Sequence, residues 1–209
     1  MVAAMSRRQR VAGILTIAVG VGLVAGCTGD GANAQTFPEE GPRWVVIASI
    51  DGFSEADGGE VPSGWVPLLA HEDGCTLSGR GIQSEEPVED ARSESEAVLA
   101  ELLDERDVAD GAFSEQDFIV AAGVDDNDIT LPFMVADASG EGQAVRFAAR
   151  AGLRLQYEGD VGTDVLQLRI DCDGAVDEAV WEEARALLRA DMAATGATES
   201  DPWGTASVP

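Results

Sequence analysis

The sequence predicts an α+β two-layer domain: a mostly antiparallel sheet of about six strands with two helices packed on one face. Three observations predict it. Apolar and polar residues alternate through much of the second half of the chain, the period of half-buried strands. The segments between those stretches are of hairpin length, which favours antiparallel neighbours. Two other stretches, 93–107 and 177–193, instead carry apolar residues at helical spacing.

In chain order, "WVVIASI" (44–50) is a short apolar, β-branched run expected to be an inner strand. Residues 51–74 hold so many Gly, Pro and acidic residues that they read as one long loop. "CTLSGRGI" (75–82) reads as a second strand, weakened by Gly79 and Gly81. Ser93-x-x-Glu96 has the form of a capping box ahead of Val98, Leu99, Leu102 and Leu103, which predicts a helix over 93–107 with its stripe in the core.

A β-meander should follow. "DFIVAAGV" (117–124) and "ITLPFMVA" (129–136) flank the turn composition Asp125-Asp126-Asn127-Asp128. Pro132 removes a ladder donor and points to an edge strand. Beyond "DASGEGQ", Val145, Phe147, Ala149, Ala151, Leu153, Leu155 and Tyr157 alternate with Arg146, Arg150, Arg154 and Glu158 across two faces. The alternation favours a strand; Ala and Arg over 143–150 favour a short helix ending near Gly152, so 141–152 stays open between the two. "VLQLRIDC" (165–172) is the last expected strand. A closing helix over 177–193 buries Val180, Ala184, Leu187, Leu188 and Met192, with Asp177 and Glu178 near its positive end. Residues 44–194 thus suffice for one domain with its own core, and no internal repeat is visible. The end, 195–209, is polar and broken by Pro202, Gly204 and Pro209, as in a disordered tail, although Trp203 offers a means of docking it back.

The N-terminus is of another kind. Arg7, Arg8 and Arg10 precede sixteen uncharged residues, 11–26, that end in small residues. A basic n-region before an apolar h-region is the pattern of a secretory signal, and the run is short for a membrane span. Val24-Ala25-Gly26-Cys27 resembles the lipobox of bacterial lipoproteins, with Val24 where leucine is usual. The resemblance covers residues 6–28 only. It implies cleavage after Gly26, a diacylglycerol on Cys27, and anchorage of the chain to the cell membrane on the extracytoplasmic side. Residues 28–43, rich in Gly, Pro, Ala and acids, then serve as a flexible tether.

The first 26 residues contain three of the thirteen arginines and none of the 39 acidic residues, which leaves ten positive charges and a net charge of −29 on the remainder. Such a surface repels nucleic acid and anionic headgroups, and chiefly keeps the domain soluble. Every positive side chain is arginine, so Schiff-base and lysine general-base chemistry is excluded. Two cysteines remain after Cys27. An even pair in an exported chain reads as a disulfide, Cys75–Cys172, closing a loop of about 100 residues.

Catalytic constellations are wanting. His71 is the single histidine, beside Glu72 and Asp73, with Ser54 and Ser78 as conceivable nucleophiles but no G-x-S-x-G elbow. With the cysteines accounted for, zinc is not expected. "DGFSEADGGE", "DCDGAVDE" and Asp125-Asp126-Asn127-Asp128 gather carboxylates, but the first two miss the EF-hand spacing and the third suits a turn, so no metal or cofactor is expected. Arg146, Arg150 and Arg154 are the sole basic concentration after residue 26. They are expected mainly to neutralise acids on neighbouring strands, with binding of an anionic ligand as the alternative. Absent an enzyme signature, the expectation is a binding or interaction module for an envelope protein or a small ligand. A hydrolase using carboxylates and a calcium-binding acidic domain are the rivals.

Overall fold

Among the described residues, nine strands form one sheet in the order β1-β9-β5-β6-β7-β8-β4-β3-β2, every neighbouring pair antiparallel except β5 and β9. The strands are β1 (Arg43–Val46), β2 (Phe53–Glu55), β3 (Val66–His71), β4 (Cys75–Ser84), β5 (Ser114–Ala122), β6 (Asn127–Gly140), β7 (Gln143–Leu155), β8 (Val161–Asp173) and β9 (Leu188–Asp191). Helix α1 (Ala91–Asp104) follows β4, and helix α2 (Glu178–Leu187) follows β8. This computed structural model describes residues 41–49, 51–56, 61–106, 112–122, 127–140, 143–155, 161–192, 197 and 200–204. The signal-like segment, Cys27 and the tether up to residue 40 lie outside the described residues. Among the described residues, no helix is long and apolar enough to cross a membrane.

The α+β class and the antiparallel character agree with the sequence pattern; the strand count and the placement of the helices do not. Residues 51–74 contain β2 and β3, short strands that cap the far edge of the sheet rather than one long loop. The predicted closing helix ends at Leu187, and the chain turns directly into β9, where Leu188 and Ala190 are buried at period two between β1 and β5. Within the open segment 141–152, the described residues from Gln143 onward are strand, for β7 pairs with β8 from Gln143 to Leu155; residues 141 and 142 lie outside the described residues. The two helices serve opposite faces. Leu99, Leu102 and Leu103 of α1 pack on Met134, Ala136, Val145, Phe147 and Ala149. Val180, Trp181, Ala184 and Leu187 of α2 pack with Phe118, Phe133, Leu166, Leu168 and Ile170 from the other face. Because both faces are covered, β8 is buried along nearly its whole length.

The sheet curls, so that β1 at one end lies against β4 near the other. β1 is therefore outermost in strand order instead of the inner strand expected. Trp44 projects inward, donates its indole N–H to the Gln167 carbonyl at 2.8 Å, and packs on Phe118 and Phe133 at centroid distances of 5.6 and 5.4 Å. Glycine makes the crossing possible. A Cβ on Gly79 would lie 2.5 Å from the Trp44 ring, and one on Gly81 would lie 1.8 Å from the Pro42 carbonyl oxygen. These are the two glycines that weaken the strand signal of β4.

The expectation that Pro132 marks an edge also needs correction, because β6 lies between β5 and β7. Locally, though, the ladder between β6 and β7 begins only at Met134↔Ala149. The Pro132 carbonyl points to the unpaired side, where Arg150 Nη1 donates to it at 2.6 Å. In a strand the N–H of a residue points the same way as its C=O, so the donor that proline lacks has no ladder partner to miss. On the opposing strand, the Ala151 N–H donates to the hydroxyl of Ser95, which is fully buried on α1 and itself donates to the Ala91 carbonyl. The N-cap of α1 is Asp90, whose carboxylate accepts from the Ser93 N–H at 2.9 Å; Ser93 lies inside the first turn and is not the cap.

Cys75 and Cys172 are directly opposite on β4 and β8 and are joined by a disulfide across 97 residues of sequence. Replacing both by alanine should cost about 4 kcal/mol, as chain entropy gives for a loop of this length, measured by urea unfolding against the oxidised wild type. Replacing Gly81 by valine should cost about 3 kcal/mol, since β1 must lift away; quenching of Trp44 fluorescence by acrylamide should rise with it, and an unchanged midpoint would contradict the crossing.

Candidate functional site

The β6–β7 turn and the connection from β8 to α2 enclose an open groove of about 600 Å³. Asp137, Ala138, Ala144 and Arg146 contribute from the hairpin, and Gly174 and Val176 from the connection. The hairpin register sets the polar wall, since Asp137 pairs with Arg146 across the ladder. Gly174, at φ +102°, turns the chain from β8 toward α2, where the Asp177 carboxylate accepts from the Ala179 N–H as N-cap.

Arg146 is tied down on every side. Its Nε and Nη2 donate to the two oxygens of Asp137 at 2.6 and 3.0 Å, and Nη1 donates to Glu178 at 2.8 Å. Its guanidinium carbon lies 5.4 Å from the Trp181 ring centre. Hydrogen bonding to Asp137 raises its pKa against the opposing effect of burial. The side chain is only 11 % exposed while its two acids are more than half exposed, so the Asp137 carboxylate faces solvent in the groove wall with the cation behind it, and Glu178 holds the cation from outside the lining. Its electrostatics suit a cationic or neutral visitor better than an anion.

The sequence grouped Arg146 with Arg150 and Arg154 on one face of a strand; the fold gives each a separate task. Arg154 donates to Asp164 at 3.0 Å and to the Ser84 carbonyl at 3.0 Å, at the end of the curl opposite the groove along β7. Arg150 donates to the carbonyls of Pro132 and Pro202 and, among the described residues, meets no carboxylate. Acid neutralisation thus describes Arg146 and Arg154 but not Arg150. The partners Asp137 and Glu178 went unrecognised in the sequence. The signal for Asp137 was available: a hairpin centred between Gly140 and Gln143 places residue 137 opposite 146.

The remaining candidates are scattered. Asp171, opposite Val145 on the α1 face, is bonded to Arg169 and lies 3.2 Å from Arg106. Burial pushes its carboxyl up to about 6, with Arg106 pulling the other way. Its partners are arginines, not a second acid, so the carboxylate pair of glycoside chemistry is not assembled there. His71 closes β3 with its side chain 8 % exposed, accepting from the Asp73 N–H and packing on Phe53 at 4.6 Å. Ser78 is buried with an unpartnered hydroxyl on β4 and is not bonded to His71. Of the three acidic clusters, "DCDGAVDE" has Asp171 in ion pairs with Arg106 and Arg169, Asp177 as the α2 cap and Glu178 on Arg146. Residues 57–60, 125 and 126 of the other two lie outside the described residues. Among the described residues, no group of three or more His, Cys, Asp or Glu is placed to hold a metal ion.

Replacing Arg146 by methionine should lower stability by about 1–2 kcal/mol, through loss of the charged hydrogen bonds and the stacking on Trp181. Asp137 and Glu178 would then face each other unneutralised, so the loss should shrink in 1 M salt, which screens beyond about 3 Å. Urea unfolding at two salt concentrations checks both points. No protein-family model matches the chain, and no curated protein is significantly similar to it.

Proposed function

We propose that this chain is a cell-envelope lipoprotein, held on the extracytoplasmic face of the membrane by lipid on Cys27, whose curled-sheet domain binds another envelope protein or a small ligand. The use of the cysteines carries the reading. Cys75 and Cys172 are consumed in a bridge, each less than 5 % exposed, which leaves Cys27 as the one remaining thiol. A buried bridge of this kind belongs to an oxidising compartment. The remaining cysteine stands where a basic, then apolar, then small-residue segment ends. Two acyl chains there anchor stably, since each buried CH₂ contributes about 0.8 kcal/mol.

The binding half of the proposal rests on the groove between the β6–β7 turn and the β8–α2 connection. Its polar wall is a closed ion-pair set rather than an acid–base pair, which suits recognition better than bond cleavage. Its occupant should be neutral or cationic, in keeping with the exposed Asp137 carboxylate in its wall.

Intact mass of the full chain, expressed in a bacterium and extracted from its membranes in mild detergent, tests the anchor. The expected mass is that of the chain from Cys27 onward plus a diacylglycerol and less two hydrogens for the bridge, with Cys27→Ala released from the membrane fraction. An unlipidated chain, or a Cys27→Ala variant that fractionates and weighs like the wild type apart from the substitution, overturns it.

A further inference from the structure

Arg150 is buried to 1 % exposure and has no acidic partner among the described residues. Nη1 donates to the Pro132 carbonyl at 2.6 Å and Nη2 to the Pro202 carbonyl at 2.8 Å. The Trp203 ring lies 4.7 Å from the guanidinium carbon. A cation removed from water and left with carbonyls alone is poorly compensated, and burial depresses its pKa to about 10. It remains protonated at neutral pH.

Two donors in this one contact are buried without a partner: Arg150 Nε and Trp203 Nε1. Their surroundings are also unusual. Here the ladder between β6 and β7 has not yet begun, so two strand edges diverge inside the sheet, and residues 200–204 of the C-terminal segment lie against the opening. Residues 201–204 of that segment are half-buried, and it closes its own turn by the Gly204 N–H donating to the carbonyl and the carboxylate of Asp201.

Guanidinium chemistry identifies what fits. The Nε–Nη2 edge is the side-on fork that a carboxylate engages with two parallel hydrogen bonds. In Arg150 this edge is half used, with Nη2 on a carbonyl and Nε on nothing, while Nη1 is held separately by Pro132. We infer that Arg150 is a receptor for a small carboxylate ligand, with residues 200–204 as a strap whose Pro202 carbonyl stands in for one carboxylate oxygen. The ligand displaces that carbonyl, takes Nε and Nη2 side-on, and accepts from the Trp203 indole N–H. The strongly acidic surface disfavours polyanions and selects for a single negative charge, since over a Debye length of about 8 Å the buried cation dominates locally. The inference goes beyond the binding proposal and depends on neither the anchor nor the groove, which lies at the other end of the β6–β7 ladder.

The test is ¹⁹F NMR on the full chain in mild detergent, labelled with 5-fluorotryptophan at its four tryptophans. The Trp203 resonance is the one lost in Trp203→Phe. Sodium acetate should shift it saturably with a midpoint on the order of 10 mM, while sodium chloride at equal ionic strength leaves it in place and the other three resonances stay put. Arg150→Lys, which keeps the charge but not the fork, should abolish the shift. No saturable shift in the folded chain, an equal response to chloride, or a response that survives Arg150→Lys overturns the inference. Should Arg150→Lys fail to fold, the thermal midpoint decides. Acetate should raise it in the wild type, and Trp203→Phe, which loses one hydrogen bond to the anion, should need roughly tenfold more acetate for the same rise. An identical acetate dependence in the two proteins overturns the inference as well.

Discussion

The rest of the structure depends on a backbone laid flat across a strand. The sheet can curl far enough for β1 to meet β4 only because Gly79 and Gly81 present no side chain where Trp44 and Pro42 arrive. With that contact made, the concave face becomes an interior, filled by Trp44, Phe118, Phe133 and Trp181 in tilted and edge-on contact. Such arrangements add to what area burial alone provides. The convex face must be covered separately, and α1 does so over β6 and β7. The division of labour between the helices follows from the curl: one helix closes the inside, the other shields the outside.

Curling has a cost at the middle of the sheet. β6 and β7 are too long to stay paired throughout, and they part between Met134 and the Asn127 end of β6. The chain repairs the parting with side chains in place of the missing ladder, a serine hydroxyl for one N–H and a guanidinium for one carbonyl. Buried polar groups require partners, and here most of the partners come from elements distant in sequence. Every positive side chain in the chain is arginine, and at these points arginine suits the task. A planar fork spans two acceptors and stacks on a ring at once, as Arg146 does between Asp137 and Trp181, which a lysine ammonium does less well.

Much of this was legible where the signal is local. The alternation through 143–155 favoured the strand that β7 forms without excluding a helix, and a cysteine count identified the bridge between β4 and β8. Signals that depend on what lies opposite were misread. Pro132 does announce a missing partner, but the gap spans a few residues within an interior strand and not the edge of the sheet. Gly79 and Gly81 look like flaws in a strand until Pro42, some forty residues earlier, is placed on top of them. Leu187 and Leu188 continue a helical stripe in sequence, yet competition from two strand edges pulls residue 188 onward into the sheet. The groove was invisible because its walls come from a hairpin and the β8–α2 connection, about thirty residues apart, brought together by the pairing of β7 with β8.

The position of the bridge bears on the chain's history as well as its stability. Cys75 is made 97 residues before Cys172, and β4 cannot find β8 until nearly the whole domain is available. During that interval Cys27 and Cys75 are the two thiols present and could pair, and once Cys172 is made three pairings are open, two of which would tie up Cys27. Under the proposed export, converting the Cys27 sulfur to a thioether removes it from the contest and leaves a single pairing open. The lipid would then act as a chemical proofreader for a disulfide it never touches.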